Sequence, residues 1–155
     1  MTDPGPVKVH LHHTMTGRFP LRVLDLLFCP DRVLAVEYDY ATPLDLATGS
    51  PQRSADAFVE VLASEGVAAA LDSARRSREI PYDGLAAVRV FDGGWLGREK
   101  VRLDPARGSA LAVRVHADLD VDAFTDAVRS TLEPYGTTVE RTGGIGLLSG
   151  WTRSV

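Results

Sequence analysis

Three of the chain's four histidines fall in one short run, His10, His12 and His13, with His116 far downstream. Alternate residues of a strand project from the same face, so His10 and His12 form a His-x-His donor pair if the run is extended. A third ligand for a metal ion has to come from elsewhere in the chain. His116, Asp25 and Glu37 are the candidates, and no spacing selects among them. The same residues also read as the solvated face of an N-terminal strand, with Lys8 beside them. The sequence leaves both alternatives open.

Other residues able to do chemistry have no partners at a useful spacing. Cys29 is the single cysteine, which excludes an intrachain disulfide and any CxxC site, and beside a turn it reads as a small packed hydrophobe. Arg75, Arg76 and Arg78 read as the end of a helical segment, where cations complement the helix dipole. Gly143-Gly144-Ile145-Gly146-Leu147-Leu148-Ser149-Gly150 fails the dinucleotide fingerprint, which needs glycine where Ser149 stands, and it lacks the lysine of a P-loop. No GxSxG elbow is present. Asp118, Asp120 and Asp122 read as charges at a helix N-terminus. Trp95, between glycines at a hairpin tip, either folds back on the sheet or is exposed as an interface residue. The sequence therefore assigns no catalytic, cofactor-binding or metal-ligating residue and implies no cofactor, and it leans against an enzyme.

The elements that must position these residues follow from hydrophobic periodicity. Val7 to His12 alternates as a strand, with a turn at Met15 to Arg18. Leu21–Phe28 is a second strand, apolar except for Arg22 and Asp25. Cys29-Pro30-Asp31 turns it into a third, Arg32–Tyr40, with Leu34, Val36, Tyr38 and Tyr40 on one face and Glu37 and Asp39 on the other. Residues 41–53 read as a loop. Ser54 is the expected N-cap of a helical insertion over 54–77, kinked or divided near Gly66. Residues 85–91, 98–104 and 109–116 form an expected antiparallel meander, the first turn at Asp92-Gly93-Gly94. Asp120 caps a final helix with the stripe Val121, Phe124, Val128 and Leu132. A short strand over 138–141 follows.

The run Leu27-Phe28-Cys29-Pro30-Asp31-Arg32-Val33-Leu34-Ala35-Val36-Glu37 resembles the first hairpin of small bacterial and archaeal PH-like domains. Glu79-Ile80-Pro81-Tyr82, before a strand ending in Asp92-Gly93-Gly94-Trp95-Leu96-Gly97-Arg98, extends the likeness. The closing helix stands where those domains place the helix that plugs the barrel. The match covers residues 21–40 and 79–134 and departs from the family in the 54–77 insertion and in the tail. It implies an α+β fold with an antiparallel sheet or small barrel, acting as a non-enzymatic binding or scaffolding module. The implied partner is another macromolecule, such as a protein; the alternative is a metal- or small-ligand-binding protein that uses the histidine strand.

Length and composition bound the rest. One domain over 1–155 is expected, with weakly packed ends at 1–6 and about 143–155, since 155 residues with 45% hydrophobic content suffice for a core. A net charge of -4 argues against general nucleic-acid binding. Arg18 alone in the first hairpin loop argues against phosphoinositide binding. Neither a signal peptide nor a membrane span is read from the sequence, and the expected location is the cytoplasm.

Overall fold

The structure is a computed structural model, and it describes residues 3–94 and 97–143. Two runs of strands supply one sheet. The first comprises β1 (Val9–Thr16), β2 (Leu21–Phe28), β3 (Arg32–Ala41) and β4 (Arg76–Pro81). The second comprises β5 (Leu85–Phe91), β6 (Lys100–Pro105), β7 (Leu111–Val115) and β8 (Thr138–Thr142). Three helices, α1 (Pro43–Thr48), α2 (Ser50–Glu65) and α3 (Val67–Ser73), lie between β3 and β4, and α4 (Val121–Leu132) lies between β7 and β8.

The fold is α+β, with the eight strands in the order β4-β3-β2-β1-β7-β6-β5-β8. The sheet is not closed into a barrel, because β4 and β8 end it as edges. Every pairing is antiparallel except β8 on β5. That exception follows from α4, which carries the chain across the sheet so that it returns in the same direction. The expected meander of three antiparallel strands is present as β5, β6 and β7.

The two faces of the sheet are dressed differently, and β2 shows how. Leu24, Leu26 and Phe28 point into one core with Leu11, Val88, Val101 and Leu103, closed by Phe124, Val128 and Leu132 of α4. Phe124 meets Phe28 edge to face at 6.1 Å between ring centroids. Leu21, Val23 and Leu27 point to the opposite face, where α2 and α3 pack. Apolar contacts there fall into two groups: Leu27, Leu34, Val36 and Phe58 in one, Met15, Leu21, Val23 and Ala41 in the other. Asp25, on the same face of the same strand, stands between them.

Several sequence expectations shift. The expected loop over 41–53 is mostly helix, Pro43–Thr48 in α1 and the start of α2 from Ser50, because Thr42 and Asp45 form a reciprocal capping box with Pro43 in the first turn. Ser54 is therefore inside α2 and not its cap, and its hydroxyl donates to Asp39 at 2.5 Å. Gly66, at φ +90°, divides α2 from α3. The helical segment ends at Ser73, so Arg76 and Arg78 belong to β4 and not to a helix terminus. The turn after β1 comes later than Met15, since the strand runs on to Thr16. In the N-terminal segment Pro4 is buried, while Asp3 and Pro6 are exposed. Trp95 and the glycine-rich tail from Gly144 lie outside the described residues.

Candidate functional site

Asp25 is fully buried in the middle of β2, where an unpaired carboxylate would be very costly. Both neighbouring strands bulge to serve it. On β1 the register runs from Leu11↔Leu26 to Thr14↔Leu24, so that His12 and His13 together oppose Asp25. On β3 it runs from Asp39↔Val23 to Glu37↔Leu24, leaving Tyr38 as the extra residue. Such bulges redirect side chains, and here two of them aim at one carboxylate.

Four groups converge on it. Asp25 Oδ2 lies 2.6 Å from His10 Nε2 and 2.9 Å from His12 Nδ1. Asp25 Oδ1 accepts from the His13 backbone N–H at 2.8 Å and from the Tyr38 hydroxyl at 2.8 Å. Tyr38 is held in turn by stacking on Phe58 of α2 at 4.7 Å. Burial alone would raise the Asp25 pKa, but the contacts with His10 and His12 outweigh it and hold the carboxyl below its ordinary value. The hydrogen bond that His12 donates to Asp25 raises the His12 pKa against the opposing effect of burial. Burial pushes the Tyr38 phenol strongly upward, so it stays a neutral donor. Asp56 of α2 adds negative potential at His12 and Tyr38.

The structure thus chooses among the three possible partners of the histidine pair. His10, His12 and Asp25 each bring one ligand-type atom within 4.8 Å of the others. Glu37 is directed elsewhere: the β3 bulge puts it opposite Leu24, and it pairs with Arg22 at 2.8 Å. It is buried, which its assignment to a polar strand face did not anticipate. His116 lies against His13 rather than against Asp25. The face carrying His10 and His12 is only partly open, with side chains about a quarter exposed, at 25% and 26%.

His13 and His116 complete the local picture. Burial lowers both pKa values, that of His116 to about 4, so both rings are neutral at neutral pH. The remaining candidates play structural parts. The Cys29 thiol is buried and its pKa is pushed up to about 11, which suits an inert hydrophobe. Asp120 is the α4 N-cap, accepting from the Ala123 N–H at 3.0 Å. Arg78 donates to the Ser109 carbonyl at 2.8 Å, and Arg75 lies over the Tyr40 ring at 5.2 Å.

Tyr38 escaped the sequence reading because strict alternation assigned it to an apolar face. Its face packs Leu34 and Val36 as expected, but the same face of β2 carries Asp25, which the hydroxyl reaches. The one signal available was Asp25 itself, a lone acid within an otherwise apolar strand interior.

No family model matches this chain, and no curated protein matches it. Among solved structures, the hSac2 domain from human phosphoinositide phosphatase Sac2 is similar in fold, with a TM-score of 0.54 at 9% identity. The likeness covers 92% of this chain and 79% of that one. No helix among the described residues is long and apolar enough to cross a membrane.

Proposed function

We propose that this chain is a metal-binding protein whose site is His10, His12 and Asp25. The observation that supports it is the convergence of two imidazole nitrogens on one oxygen of a buried carboxylate whose other oxygen is already occupied. A tetrahedral zinc ion at ordinary ligand lengths keeps its donor atoms about 3.3–3.5 Å apart. The His10–Asp25 separation of 2.6 Å would need to open by about 0.7–0.9 Å, and the His12–Asp25 separation of 2.9 Å by about 0.4–0.6 Å, to admit it. Tyr38 and the His13 N–H then serve to fix the carboxylate, as outer partners of metal ligands commonly do. Three protein ligands leave at least one position for water or an exogenous ligand. The set of two histidines and one carboxylate also suits ferrous iron.

Metal analysis of the purified full chain after dialysis against zinc tests this proposal. Binding at these residues gives a stoichiometric ion that is lost in the His10→Ala/His12→Ala double variant. A protein that takes up no zinc, cobalt or ferrous iron, or that keeps its full complement in the double variant, refutes it.

A second reading makes the chain a non-enzymatic binding or scaffolding module with a macromolecular partner, a role compatible with the fold it shares with the hSac2 domain. The printed name of that domain's parent protein makes phosphoinositide vesicles the natural probe. Because Arg18 is the only basic residue in the loop between β1 and β2, little or no co-sedimentation is expected. Saturable binding specific to phosphoinositide vesicles would reverse that expectation.

A further inference from the structure

All four histidine rings of the chain follow one another as neighbours. Ring centroids are 5.6 Å apart from His10 to His12, 6.1 Å from His12 to His13 and 5.6 Å from His13 to His116. The first two rings rest on Asp25. The last two have a different situation and no evident task.

His13 is 6% exposed, and neither of its ring nitrogens has a hydrogen-bond partner. Gln52 of α2 approaches the ring without closing a bond. His116 Nε2 is likewise buried and unpartnered. A neutral imidazole carries one N–H and one lone pair, and leaving both buried and unpaired works against folding. The backbone adds to the cost. His13 has φ +53°, a left-handed conformation uncommon for any residue but glycine, and it is the one such non-glycine position among the described residues. Strain of this kind is characteristically kept at functional positions. The same segment is clamped to β7, because the His116 N–H donates to the His13 carbonyl at 2.9 Å. The bulge that makes His13 strained is therefore also what holds its ring beside His116.

The chemistry offered is that of two imidazoles, each with a ring nitrogen able to present a lone pair. His116 also lines an open cavity of about 530 Å³ together with Arg98, Glu99, Asp118 and Asp120, which gives a small cation a path from solvent past three carboxylates. Two imidazoles bound to one tetrahedral ion at about 2.0–2.1 Å place their ring centroids about 5–5.5 Å apart. The His13–His116 separation of 5.6 Å is within easy reach of that value. We infer that His13 and His116 form a second metal site, a bis-imidazole site for a divalent transition ion whose remaining positions open toward the cavity. It uses none of the ligands of the first site.

Zinc stoichiometry of the full chain separates the two sites. The unaltered protein should bind two ions, His116→Gln one, the His10→Ala/His12→Ala double variant one, and the combined variant none. Copper(II) bound to the double variant should show nitrogen hyperfine coupling from two imidazoles, and His116→Gln added to it should abolish that signal. His13→Asn, which tolerates the left-handed backbone, serves as a second variant and should reproduce the loss seen in His116→Gln. A single ion that survives His116→Gln and disappears with His10 and His12 overturns this site and leaves the first standing. A single ion lost only with His116 does the reverse, and uptake of no ion overturns both.

Discussion

The two faces of the sheet solve burial in opposite ways. Against α4, the core of Leu24, Leu26, Phe28, Phe124 and Val128 is apolar and follows the period of β2 and of α4. Under α2, Asp25 divides the apolar contacts in two and draws a bulge from each neighbouring strand. An aliphatic residue at position 25 would continue the line of Val23 and Leu27 at no electrostatic cost. The histidine-rich face instead carries a buried charge, a strained His13 and unpartnered imidazoles. The apolar face bears stability, and the polar face spends some of it on an organised site.

The sharpest way to break this contrast is to injure each face equally and add metal. Phe124→Ala should cost ~3–5 kcal/mol through lost contacts and a residual cavity. Asp25→Ala should cost a similar ~3–5 kcal/mol, because four donors lose their acceptor. In a His116→Gln background, which removes the second site, zinc at about one hundred times its Kd should add ~2.7 kcal/mol to Phe124→Ala and to the parent chain, but much less to Asp25→Ala. Chemical denaturation with and without zinc measures all three. Equal rescue of both variants would mean that Asp25 is only a structural acid.

Tyr38→Phe is a gentler probe of the same face. Removing a hydroxyl that donates to a buried carboxylate should cost ~1.5–3 kcal/mol and lower zinc affinity by about tenfold or more. An unchanged affinity in calorimetric titration would show that Tyr38 does not position Asp25.

Acidity acts on the polar face through groups of opposite sign. His116 has a folded pKa of about 4, below its ordinary 6.5, so the unfolded chain binds more protons between these values and stability falls as pH drops through that window. His12 is shifted upward, so its contribution is present below 6.5 and is lost as pH rises through its folded value. The lowered Asp25 contributes above its ordinary 3.8 and fails as pH falls through its folded value. In metal-free protein, His116→Gln should remove ~1 kcal/mol of the loss between pH 7 and pH 4, a figure reduced for partial exposure of the ring. Melting curves across that range test it, and parallel profiles for the two proteins would count against it.

The smallest effect belongs to the apolar side. Asp120→Ala should cost ~1 kcal/mol by removing the N-cap of α4, with zinc affinity at the His10, His12 and Asp25 site untouched. A change in metal affinity there would contradict the independence of the two faces.

The apolar side was largely legible in the sequence, because each of its elements obeys a simple period. The 3-4-4 spacing of Val121, Phe124, Val128 and Leu132, and the alternation in β6 and β7, lead directly to the packing observed. The polar side was legible only in part. His10 and His12 announced a shared face, and Asp25 was among three possible partners. The choice among them depends on two inserted residues that shift register, and a bulge leaves no pattern in a single sequence. Likewise, the parallel placement of β8 depends on where α4 returns the chain, which local periodicity does not encode.

The seam between β1 and β7 carries a kinetic consequence. Each four-strand half is built mainly from neighbouring hairpins, whereas the contact joining them, Thr16 to Ala112 at 2.6 Å, spans 96 residues. Closing so long a loop is entropically slow, so each half should assemble before the two dock. Conservative substitutions at Thr14 and Val115, which face each other across the seam, should then speed unfolding and leave the folding rate nearly unchanged. His10, His12 and His13 come from one half and His116 from the other. The series of imidazoles is therefore completed only at docking, and its last ring reports the final step of folding.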